Sequence, residues 1–221
     1  MALWGTWAGL AFLYYGAIIA ITLAFATSVK TGSSASDEKY IGTDQIYSFD
    51  YEAIFTSASA ELAGTTLIIL LVDRVGRIPS QSASYLLGGI SIFCLCVLAS
   101  QDNPHRGQMI LAAFLARLFF MSASCATWVS TAEILTTEIR TTGHSAANAV
   151  ARTSGAFCPY IVSSTTPFRT IGALMLAISV STCICSWQLP ETNGKSMGAI
   201  NHHGRRDNIG SAIPQSSHGL T

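Results

Sequence analysis

Six long apolar stretches joined by short polar segments set the outline of this chain. A window of about 19 residues places them at 3–26, 53–72, 82–100, 109–132, 142–163 and 169–188. They are too long and continuous for strands, and a helix satisfies its own backbone groups in lipid, so the pattern predicts an all-α membrane bundle. Trp4 and Trp7 in the first stretch suit an interfacial belt. The segment 27–51 is rich in Ser, Gly, Asp and Lys and reads as a flexible loop. Pro104 marks a turn over 101–107, while Pro167 and Pro190 bracket the last stretch as stop signals. From residue 191 the chain is polar, with Gly, Ser and the pair His202-His203, and reads as a disordered tail. The expected division is a six-helix membrane unit over 1–190 and a tail over 191–221.

Composition sharpens this picture. Half the residues are apolar and 11% are charged, against about 25% charged in a typical soluble protein. The net charge of zero leaves no nucleic-acid footprint. The six cysteines (94, 96, 125, 158, 183 and 185) all lie inside apolar stretches, without zinc or disulfide-framework spacing, and read as small packing residues. No N-x-Ser/Thr acceptor occurs, and the N-terminus has neither a basic region nor a cleavage site of the signal-peptide kind. Placing the loops after the second and fourth stretches on one side gathers Arg74, Arg77, Arg140, Lys195, Arg205 and Arg206. The other side holds Lys30, Lys39, Arg106 and Arg169. The bias weakly assigns the first side, and both termini, to the cytoplasm.

Charges within the apolar stretches are the informative ones, because each costs roughly 2.5–3.5 kcal/mol at bilayer depth on insertion scales and usually faces a bundle interior. Glu61 and Arg117 each stand ninth in stretches that run in the same direction, about 12 Å in at 1.5 Å per residue. At one depth they can pair and offset each other's burial. Two readings stay open: a structural ion pair, or a carboxylate that titrates during function. Arg152 is about 13 Å from the cytoplasmic end of its helix. Asn148, Ala149, Gly155 and Ala156 are its neighbours one turn away, so no acid on its own helix can neutralise it. Its partner must come from elsewhere, as an anionic ligand or as a residue of another domain. Asn148 shares its face and can add a hydrogen bond.

Tyr14, Tyr15 and Trp128 are candidate cavity residues, although aromatics in spans more often pack. His144 reads as a solvated residue at a loop–helix junction, and Gly88-Gly89 as a packing feature. The sequence shows no metal-ligand cluster, no phosphate-cradling loop and no nucleophile–base set, so no cofactor or metal is expected and an enzyme is disfavoured.

Four motifs occur in a fixed order. Asp73-Arg74-Val75-Gly76-Arg77 follows the second stretch, and Glu133, with six residues between it and Arg140, ends the fourth. Ala151-Arg152-Thr153-Ser154-Gly155-Ala156, with Pro159 beyond, lies in the fifth. Leu189-Pro190-Glu191-Thr192-Asn193-Gly194-Lys195 follows the sixth. Together with Tyr14-Tyr15-Gly16, the set resembles the C-terminal six-helix half of a major facilitator superfamily transporter. The branch it resembles is that of synaptic-vesicle-2-related proteins, close to sugar porters and organic ion transporters.

That resemblance implies a twelve-helix fold in two halves with the substrate between them, of which this chain supplies the second half. It implies a secondary transporter that moves a small organic solute, an organic anion or a sugar, by alternating access, without chemistry on the solute. It further implies an ionic latch at the cytoplasmic face built from Asp73, Arg74, Arg77, Glu133, Arg140 and Glu191. At a half-wet interface each such pair contributes about 0.2–1 kcal/mol. A plain topological role for these charges is the alternative. In organic-anion transporters the position matching Arg152 is likewise an arginine that meets substrate charge. The expected partners are the lipid bilayer, the solute, and a missing N-terminal six-helix half or a second copy, with no nucleic acid. The expected location is a multi-pass position in the plasma membrane or an intracellular vesicle or vacuole membrane. A receptor or regulator that keeps the transporter fold without transport, or an inactive fragment, is the rival reading.

Overall fold

The computed structural model describes residues 1–32, 51–101 and 105–191. The expectations for Lys39, for Pro104 and for the tail with Lys195, Arg205, Arg206 and the paired histidines lie outside those residues. Six helices follow in order: α1 (Ala2–Gly32), α2 (Tyr51–Val75), α3 (Arg77–Ala99), α4 (Arg106–Ile134), α5 (Arg140–Ile161) and α6 (Phe168–Trp187). Helix α1 runs on past residue 26 into the segment expected to be loop.

Helix α3 starts at Arg77 instead of residue 82, with only Gly76 between it and α2. Hydropathy starts the third stretch at residue 82 and leaves Ser80 and Gln81 in the polar segment before it. In the fold these side chains are buried, and Gln81 donates to the Thr127 hydroxyl at 2.9 Å while accepting from Ser130 Oγ at 3.1 Å. Tyr85 shares the same Thr127 hydroxyl at 2.7 Å, and Ser179 donates to the Tyr85 carbonyl at 2.5 Å. This network ties α3 to α4 and α6 and partners the Gln81, Tyr85, Thr127 and Ser130 side chains, while the buried Ser80 hydroxyl has no partner among the described residues.

Six spans were expected, but five of the helices are long and apolar enough to cross a membrane, and α5 falls short. Its sequence carries Arg140, Thr141, Thr142, Asn148, Arg152, Thr153 and Ser154. A helix whose exposed face borders a polar interior and not lipid does not need apolar residues all round.

The packing order places α3 between α4 and α6, α2 against α4, and α1 against α5 and α6. Small residues set the close approaches. A Cβ added at Gly64 would run into the Leu118 carbonyl oxygen of α4, and Ser122 Oγ donates to the Gly64 carbonyl at 2.7 Å across the same contact. Helices α1 and α5 are stitched in the same way, by Ser154 Oγ to the Ala8 carbonyl at 2.8 Å and Cys158 Sγ to the Phe12 carbonyl at 3.6 Å. Backbone proximity of this kind is how helices associate where lipid removes the hydrophobic drive between them. Cys96 and Cys158 are buried and all six cysteines are free.

Large apolar side chains on the outside, among them Phe55, Leu62, Ile69, Leu111, Phe157 and Tyr160, are exposed. Such a continuous surface would be a liability in water. For a bundle with several membrane-spanning helices it is the surface that meets the acyl chains.

Candidate functional site

The sequence-predicted residues fall into three groups. At the end of the bundle that bears the α2–α3 turn, Gly76 adopts φ 109 and ψ 160, a region essentially reserved for glycine. That conformation reverses the chain in one residue and leaves the first N–H groups of α3 without a local cap. Glu191, far along the sequence, supplies one: its carboxylate accepts from the Arg77 and Ile78 N–H groups, each at 3.0 Å. A carboxylate is favoured there by the helix dipole as well as by the hydrogen bonds. Glu191 was expected in the ionic network; its geometry is that of a helix cap.

Arg77 is the hub of the same region. Its Nε lies 3.2 Å from Glu133 Oε2, its Nη2 donates to Glu133 Oε1 at 3.3 Å, and its Nη1 lies 3.1 Å from Asp73. The Arg77 and Glu133 side chains are 16% and 17% exposed, so this pair is screened less than the half-wet interface expected from sequence. Asp73, 74% exposed, adds little. The resemblance pointed to Glu133 and Arg140 as partners. In the structure Glu133 engages Arg77, and the Arg140 guanidinium donates to the Leu135 carbonyl at 3.4 Å. Arg74 is exposed at the end of α2.

Mid-helix, Arg117 Nη1 lies 3.1 Å from Glu61 Oε1, and Tyr14 donates to the same oxygen at 3.3 Å. The side chains of Arg117 and Glu61 are 12% and 26% exposed, and Arg117 Nε has no hydrogen-bond partner. Three helices thus meet at one carboxylate. Its lone pairs are engaged by a guanidinium and a phenol, and Glu61 does not line the cleft described next.

That cleft has a volume of about 340 Å³ and runs between α1, α4 and α5. Trp7, Tyr14, Tyr15, Ser124, Trp128, Asn148 and Arg152 line it. Asn148 and Arg152, four residues apart on α5, present their polar ends together. Arg152 is exposed, and among the described residues no acidic partner is recorded for it. Tyr14 lines this cleft and donates its hydroxyl to Glu61 behind the wall.

Sequence reasoning missed the aromatic knot beside this cleft. His144 was expected to be a solvated cap residue. Its ring stacks 5.1 Å from Trp7 and 4.6 Å from Trp128, which are themselves 4.8 Å apart. The Trp7 indole donates to Thr131 at 3.0 Å. The signal for it is weak in sequence, because the three rings come from three helices. It missed the Gln81–Thr127–Tyr85 network for the same reason.

The family model described as "Sugar (and other) transporter" matches residues 39–203. The chain is 26% identical over 212 residues to the synaptic vesicle 2-related protein of Rattus norvegicus, covering 91% of the chain and 37% of that relative. It is 26% identical over 202 residues to organic cation/carnitine transporter 7 of Arabidopsis thaliana, covering 89% of the chain and 38% of the relative. A putative transporter of Caenorhabditis elegans, svop-1, is 26% identical over 200 residues, again with 38% of its length covered. The chain therefore spans little more than a third of the length of these curated relatives. With a family match over most of its length and five apolar helices long enough to cross a bilayer, the chain is a multi-pass membrane protein that belongs to the sugar (and other) transporter family of the major facilitator superfamily.

Proposed function

We propose that this chain forms one half of a secondary transporter that carries a small organic anion across the membrane by alternating access. The observation that carries this reading is Arg152: a mid-helix arginine, exposed in an aromatic-lined cleft, with no acidic partner recorded among the described residues. An arginine in low dielectric demands a counter-charge, and its planar fork suits a carboxylate. Asn148 supplies an amide for a second hydrogen bond, while Tyr14, Tyr15 and Trp128 offer flat apolar faces. One relative is named for organic cations and carnitine; carnitine bears a carboxylate, whereas Arg152 would repel a purely cationic solute. A sugar is the weaker candidate, because nothing in a neutral ring answers the guanidinium.

In this reading Arg77, Glu133, Asp73 and Glu191 hold the α2–α3 turn against the end of α4 and keep that end of this half rigid while the two halves rock. The opposing wall is an N-terminal six-helix half or a second copy of the chain.

The test is uptake into proteoliposomes of labelled carnitine, benzoate and glucose, by the chain alone and with a co-expressed N-terminal half from a relative. Arg152→Ala is expected to lower carnitine and benzoate uptake at least tenfold without lowering thermal stability, since an exposed, unpaired arginine contributes little to folding. Uptake that is absent in both preparations would refute transport. Binding of solute without movement would establish the receptor or regulator reading in its place.

A further inference from the structure

Arg152 and Tyr15 belong to two cavities at once. Besides the cleft already described, they line a second, open concavity of about 280 Å³ together with Ile18, Ile19, Gly155, Ala156 and Pro159. The chemistry of the two differs. The first holds Asn148, Ser124 and Tyr14 in addition to its indoles. The second offers aliphatic carbon around the single charge of Arg152.

The partition between them is the Tyr15 ring. It lies against α5 at Gly155, where a Cβ would sit 2.8 Å from Tyr15 Cδ2 and 3.0 Å from Cε2. Any side chain at 155 would therefore lift the ring. Tyr14 braces it from the other side, edge to face at 5.7 Å.

We propose that the second concavity is an apolar subsite for the hydrocarbon end of an amphiphilic carboxylate, whose charge is held by Arg152, with Tyr15 on Gly155 setting the length that fits. This rests on the reading of Arg152 as an anion site. The carboxylate meets the guanidinium at the boundary of the two cavities. The aliphatic end then turns towards Ile18, Ile19 and Pro159, and any polar substituent towards Asn148. Tyr15 is the specificity-determining residue, because its ring is the wall that the two cavities share and so bounds the subsite beside Arg152.

The experiment is calorimetric binding of sodium acetate, butanoate, hexanoate and octanoate to the full chain in lipid nanodiscs. The Arg152→Gln chain serves as the reference for partition into lipid. Each methylene that enters the subsite should tighten Arg152-dependent binding about fourfold, the ratio expected for burial of one CH₂, until the compartment is full and affinity levels off. Tyr15→Ala should move that plateau to longer chains, and Gly155→Ala to shorter ones. Should Gly155→Ala fail to fold, the Tyr15→Ala series decides alone. Arg152-dependent binding that is flat across the series would overturn the subsite and leave the anion site standing. A plateau unmoved by Tyr15→Ala would overturn Tyr15 as the partition. Binding of no member above the reference would overturn the anion reading and the subsite with it.

Discussion

Removing the Glu61 carboxylate should reveal how strongly the middle of the bundle depends on one ion pair. Arg117 is 12% exposed and already has an Nε without a hydrogen-bond partner, so its tolerance for further loss is small. Glu61→Ala leaves that guanidinium in a low-dielectric site with no carboxylate 3.1 Å away. Deleting one member of a buried pair costs about 3–5 kcal/mol. The 26% exposure of Glu61 lets water reach the site, so the lower figure, about 3 kcal/mol, is the expected loss. Arg117→Ala strands Glu61 more mildly, because the carboxylate is 26% exposed and keeps the Tyr14 contact; about 2 kcal/mol is expected. The double substitution removes both charges and should cost about 3 kcal/mol, which gives a coupling of about 2 kcal/mol. The assay is unfolding in mixed micelles by a denaturing detergent, followed by tryptophan fluorescence, across the four members of the cycle. Additive costs, with a coupling below about 0.5 kcal/mol, would refute the pair as a stabilising contact.

Three further outcomes follow from the same geometry. Gly76→Ala should lose about 1–2 kcal/mol, because a φ of 109 is strained for any L side chain, and Glu191→Ala about 1–2 kcal/mol through loss of the α3 cap; equal stability of either variant in the same unfolding assay would contradict the turn geometry. Gly64→Ala places a methyl against the Leu118 carbonyl and should cost about 1–3 kcal/mol by overpacking, with a lowered melting temperature as the readout; an unchanged one would show that α2 and α4 can move apart freely. Arg77→Lys keeps the charge but loses the two-nitrogen contact with Glu133, so about 1–2 kcal/mol should disappear despite the conservative exchange; stability equal to the parent would reduce the interaction to a point-charge contact.

What was legible in the sequence is what depends on hydropathy along the chain. Stretches of apolar residues located all six helices, because lipid leaves the backbone no option but to bond within each segment. Equal spacing along two parallel stretches put Glu61 and Arg117 at one depth, and isolation from acids on its own helix singled out Arg152. The order of four motifs, matched against known transporters, identified the family. Where a polar residue is buried against another helix, hydropathy along the chain fell short: it leaves Gln81 outside the third stretch, yet Gln81 lies in the first turns of α3, because Thr127 and Ser130 on α4 partner its amide.

Only the tertiary structure decided which groups meet. Glu133 turns to Arg77, and Glu191 caps α3 from more than a hundred residues away. His144 packs between two indoles instead of facing solvent. Glu61 is held by Arg117 and Tyr14 outside the cleft, while Tyr15 divides the space on either side of Arg152. Each of these depends on the rotation of one helix against another. That rotation is set by interlocking small residues such as Gly64 with Leu118 and Gly155 with Tyr15, and hydropathy carries no record of such contacts.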